Sequence, residues 1–124
     1  MKHFCAVLAL VLLTACAGGF YHPSATARLP CAAEQCQALW AQAQTWLAKN
    51  SRYRFQIVND NVIQTHGPHD GVYDGVAYTL TREPRANGGS MIVITGTCSA
   101  TVYGCVIDPA PYVNALYHYL HGPQ

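Results

Sequence analysis

Charge is scarce in this chain. Only 10% of its residues are Asp, Glu, Lys or Arg, and they nearly balance at a formal +1. A chain so neutral has no basic stripe to track a phosphate backbone, which excludes nucleic acid as a partner. It has no polybasic patch for an anionic lipid surface either. Long apolar runs are also missing. The run Phe4 to Leu13 holds ten residues, and a helix of that length covers about 15 Å, half a bilayer core. No phosphate-cradling glycine loop or dinucleotide fingerprint is present. Ser24, Ser51, Ser90 and Ser99 lack a G-x-S-x-G setting. No C-x-x-C pair is present to do disulfide exchange. These absences leave no enzyme signature and no cofactor to expect.

What is present begins at the N-terminus. Lys2 supplies a positive charge, the apolar run follows, and small residues close it, which is the layout of a secretory leader. The closing run is Leu13-Thr14-Ala15-Cys16. It resembles the lipobox of bacterial lipoproteins, over residues 1–16. The resemblance implies that residues 1–15 are a signal peptide and that Cys16 becomes the lipid-bearing N-terminus. The cysteine suits this role because its sulfur is the nucleophile that forms a thioether with a diacylglyceryl group. Ala17 stands where inner-membrane lipoproteins commonly carry aspartate. That implies anchoring in the outer membrane, facing the periplasm. Two or three acyl chains at about 0.8 kcal/mol per buried CH₂ make such an anchor permanent.

The mature chain would be residues 16–124, enough for one domain. Its six basic and six acidic residues then cancel. The cysteine count also simplifies. Of six, Cys5 leaves with the leader and Cys16 takes lipid, so Cys31, Cys36, Cys98 and Cys105 remain. Four cysteines in an oxidising compartment read as two disulfides. A Cys₄ zinc site is disfavoured, because C-x₄-C and C-x₆-C spacings are wide for one. Three pairings are possible. Local pairing, Cys31–Cys36 with Cys98–Cys105, is preferred, and it requires Cys31 to lie outside the following helix, in the bend after Pro30.

Residues 16–30 hold Gly18, Gly19, Pro23 and Pro30 without periodicity and read as the lipidated N-terminus and a flexible tether of about 20 Å. The domain is then expected at 31–124. Over 33–49, Cys36, Leu39, Trp40, Ala43, Trp46 and Leu47 recur at helical spacing. Residues 52–58 alternate and predict a strand with Tyr53, Phe55 and Ile57 buried. Residues 62–65 continue it or pair back. Residues 75–83 and 90–98 predict two more strands around an Asn87-Gly88-Gly89 hairpin, and Cys98 to Cys105 reads as a loop or hairpin pinned at both ends. The last helix follows Asp108 and Pro109, buries Val113, Leu116, Tyr117 and Leu120, and stops at Gly122. The order is α-β-β-β-α. It predicts an α+β fold, an antiparallel sheet of three or four strands with two helices on one face. Cys36 with Trp40, followed by Gly104-Cys105-Val106-Ile107-Asp108-Pro109, also resembles a group of small proteobacterial lipoproteins, which supports the same architecture and adds no function.

Three surfaces merit attention. Tyr112 and Tyr119 stand two helical turns apart beside the apolar stripe, and with Tyr103 they would make a partner-binding patch. His66 and His69 share a loop, while His118 and His121 sit one turn apart; with Asp70 they are the candidate set for a transition metal. Asp70 and Asp74 lie among glycines, where turn formation accounts for them. The leading expectation is a non-enzymatic envelope lipoprotein that binds or supports another envelope protein. Alternatives are a small-ligand or metal-binding periplasmic protein, and an inhibitor or immunity protein of an envelope enzyme.

Overall fold

The computed structural model describes residues 23–67, 75–98, 100–101, 104–105 and 107–122. Its centre is the hairpin of β4 (Val76–Pro84) and β5 (Ser90–Cys98). Nine antiparallel pairs join them, from Val76↔Cys98 to Pro84↔Ser90. The turn is the one that Asn87-Gly88-Gly89 dictates. Gly88 takes φ +85°, where a side chain would be strained, and Asn87 Oδ1 accepts the Gly89 amide at 3.0 Å.

Strand β1 (Ser24–Cys31) lies on the far side of β5, paired antiparallel from Ser24↔Thr97 to Cys31↔Ser90. Residues 24–30, which the sequence reads as tether, are therefore part of the domain, which does not wait for residue 31. The physical reason is a period of two written in small residues. Ala25, Ala27, Leu29 and Cys31 turn inward and become steadily more buried, while Ser24, Thr26, Arg28 and Pro30 face out. Pro30 is tolerated because an edge strand has a side that needs no donor.

Strands β2 (Phe55–Val58) and β3 (Val62–Thr65) complete the other side of the sheet. The strand order is β1-β5-β4-β3-β2, all antiparallel. The fold is therefore α+β, as the sequence predicts, but with five strands in the main sheet and a strand before the first helix. Asn59 shapes the β2–β3 turn, its Oδ1 accepting the amides of Asn61 and Val62 at 2.9 and 2.8 Å. At the end of β3, the buried Thr65 hydroxyl accepts the Tyr78 amide at 3.0 Å.

The expected burial of Ile57 is wrong. The β2–β3 register shifts between Phe55 and Ile57, so Gln56 is an extra residue. A bulge flips every side chain beyond it. Tyr53 stays buried and Phe55 half-buried, but Ile57 is left 40% exposed. Tyr53 is instead gripped by two glycines. A Cβ on either Gly67 or Gly75 would come within 2.8 Å of its ring.

Helix α1 (Ala33–Asn50) and helix α2 (Ala110–His121) pack on the same face of the sheet. Helix α1 buries Cys36, Trp40, Ala43 and Leu47; helix α2 buries Val113, Leu116 and Leu120. They meet Leu29, Ile63, Tyr78, Leu80, Ile92 and Ile94 in one core. Trp40 also ties α1 to the β2–β3 turn, its Nε1 donating to the Asn59 carbonyl at 2.9 Å. The opposite face carries a polar row beside the buried Val93 and Ala77. Thr26, Thr95, Thr79 and Gln64 line up across four strands, and the Thr26 and Thr95 hydroxyls lie 3.3 Å apart.

Both disulfides are local. Cys31, the last residue of β1, joins Cys36 in the first turn of α1, with Cα atoms 5.2 Å apart. Cys31 thus lies outside the helix, as local pairing demands. Cys98 joins Cys105 at a Cα separation of 5.8 Å. Between them β6 (Ala100–Thr101) and β7 (Gly104–Cys105) form a minimal hairpin. Helix α2 starts as its sequence indicates: Asp108 Oδ1 accepts the Ala110 amide at 3.0 Å, and the Pro109 carbonyl accepts the Val113 amide at 3.0 Å. It ends at Gly122, φ +83°.

Candidate binding surface on the second helix

The exposed side of α2 carries the site. Its buried stripe faces the core, which turns Tyr112 and Tyr119 to solvent at 44% and 49% exposure. Both are large aromatics with about half of their surface left to water. Tyr103, the third member of the expected patch, lies outside the described residues, as do Cys16, His69, Asp70 and Asp74.

Tyr119 borders a shallow depression of about 810 Å³ that it shares with Trp46 of α1 and with Tyr117, His118 and His121. The rings in it are held by one another. Tyr117 stacks on His121, centroids 5.5 Å apart and planes 12° from parallel. It also meets His118 edge-on at 5.5 Å. Trp46 meets the buried Tyr78 edge-on at 6.0 Å. Tyr78 lies beneath this surface, and burial, together with nearby Tyr112, pushes its phenol up to about 12. It stays neutral through the physiological range.

A second groove, about 510 Å³, runs between the helices. Leu29, Ala38, Leu39 and Leu120 give it an apolar lining, with Glu34 beside them, and His121 borders both this groove and the depression. Tyr117, expected in the buried stripe, is only half-buried and belongs to the surface as much as to the core. The i, i+4 spacing of Tyr117 and His121 is the signal that marks this in the sequence. Trp46, which its helical spacing assigns to the core stripe in preference to a ligand platform, is only half-buried and reaches the site from α1.

Of the histidine set, the described members His66, His118 and His121 are not brought together. His66 follows β3, its amide donating to the Arg54 carbonyl at 2.8 Å, whereas α2 packs on β1 and β5 at the other side of the sheet. Among the described residues no three His, Cys, Asp or Glu side chains come together as a metal site. Ser51 is a turn residue, its hydroxyl donating to the Tyr53 carbonyl and accepting the Tyr53 amide. Among the described residues no helix is long and apolar enough to cross a membrane. Comparison with protein-family models, curated proteins and solved structures found no match for this chain.

Proposed function

We propose that this is a lipid-anchored protein of the bacterial envelope, without an activity of its own, that holds another envelope component against the outer side of α2. The observation that carries the reading is the exposure of Tyr112 and Tyr119 on one helix. Tyrosine is favoured at such surfaces because it offers a large rigid contact area with a polar tip. The address rests on the lipobox ending at Cys16, and Ala17 favours the outer membrane, facing the periplasm. Residues 17–23 separate that cysteine from β1. Seven residues reach at most about 25 Å, so the component must lie close to the membrane.

Two variants test this. A Tyr112→Ala, Tyr119→Ala chain keeps its melting curve and loses the crosslinked species formed in cells; crosslinks that persist remove the reading. Cys16→Ser releases the protein from membranes; retention there overturns the anchor.

A further inference from the structure

We infer that the depression between Trp46 and α2 is a saccharide site, taking an uncharged oligosaccharide. The inference rests on the binding role proposed for the outer side of α2 and names the chemistry of what it holds. The lining supports this by elimination. An anionic ligand would call for Arg or Lys and a cationic one for carboxylates, and the described lining has none of these. A purely apolar ligand is held by an enclosed pocket that buries most of its surface, whereas this trough lies open on one side of the helix, with Tyr119 49% exposed at its border.

What the trough offers is three aromatic rings and two imidazoles. A pyranose presents two kinds of surface that match them. Its axial C–H faces carry slight positive charge and stack on the negative face of a ring. Its equatorial hydroxyls both donate and accept, as imidazole and phenol do. Two of the three aromatic rings are already set. Trp46 is held edge-on by Tyr78, and Tyr117 lies against His121. Little side-chain freedom is lost on binding, so a shallow contact is productive. The volume, about 810 Å³, is in the range of small-ligand sites and suits several linked sugar rings rather than one.

The test uses the full chain purified in detergent. It is titrated with the tetramer of β-1,4-linked N-acetylglucosamine and, separately, with maltotetraose, following tryptophan emission. A saturable change with either sugar at millimolar concentration or below is the expected result. Tyr119→Ala and His118→Ala each weaken it by about tenfold, the scale of one lost stacking or hydrogen-bonding contact. Arg28→Ala, on the opposite sheet face, leaves it unchanged. No saturable change with either sugar overturns the inference. So does an in-cell crosslinked species that depends on Tyr119 and survives digestion of its glycan, because the occupant is then protein. Either outcome leaves the wider binding role standing; that role falls only when the crosslinks outlast the double tyrosine variant.

Discussion

Gly96 shows how closely one residue sets the distance between layers. Helix α2 rests on it: an added Cβ would lie 2.6 Å from Val113 Cγ2 and 3.0 Å from Val76 Cγ1. The alanine variant should lose about 1–3 kcal/mol through overpacking, which differential scanning calorimetry would report as a lowered Tm. An unchanged Tm would mean that α2 rides higher on the sheet. Tyr78 makes a different demand. Its neutral form is favoured in the folded state, so its ionisation is shifted from the ordinary 10.0 to about 12. Unfolded chains lose this proton first. Stability should hold up to about pH 10 and then fall as pH rises towards 12. Urea titrations at several pH values should show this fall reduced in Tyr78→Phe. An equal fall in both chains would place its cause elsewhere.

At the scale of elements, the α1 start lacks a capping side chain. Ala32 holds the cap position, and only its carbonyl is used, by the amides of Gln35 and Cys36. The disulfide between Cys31 and Cys36 fixes that end instead. Replacing both cysteines by serine should cost roughly 2 kcal/mol on the chain-entropy account of so short a loop. The urea midpoint measures it, and an unshifted midpoint would show that packing alone holds the helix start. The elements most legible in the sequence were those whose signals are local. Helix α1 wrote its stripe in leucine and tryptophan, the β4–β5 hairpin in Asn87-Gly88, and helix α2 in Asp108, Pro109 and Gly122. Strand β1 escaped because two of its four inward residues are alanine, which adds little to a hydrophobic pattern, and because Pro30 reads as a breaker. The outward turn of Ile57 escaped because a bulge is a matter of pairing, visible only once β3 lies beside β2. In the candidate site, Tyr112 and Tyr119 stand out from helical phase alone, whereas Trp46 joins them only through the packing of two helices.

For the whole molecule, β1 is an integral part of the domain. Leu29 and Cys31 are core residues, and β1 covers the edge of β5 along its full length. A chain starting at residue 23 should fold, while one starting at residue 32 should not, since it loses that edge and one cysteine of a disulfide. Near-ultraviolet circular dichroism separates these outcomes, and a native spectrum from the shorter chain would show β1 to be dispensable. The outer sheet face needs no such protection. Its threonine rows are suited to water, and the ion pair across it, Arg28 with Glu83 at 4.0 Å, is exposed and adds little.

The placement of β1 has a mechanical meaning. A pull on the residues before Ser24 enters the domain at one end of this strand. The neighbourhood of α2's last turn, where Leu120 and His121 adjoin Leu29 and Pro30, lies at the other end. A load between the two runs along the strand. It shears eight residue pairs together instead of peeling them one by one, and the Cys31–Cys36 bond closes the line where the strand ends. Tension on the N-terminus is thus borne in the direction in which a β-ladder resists it best.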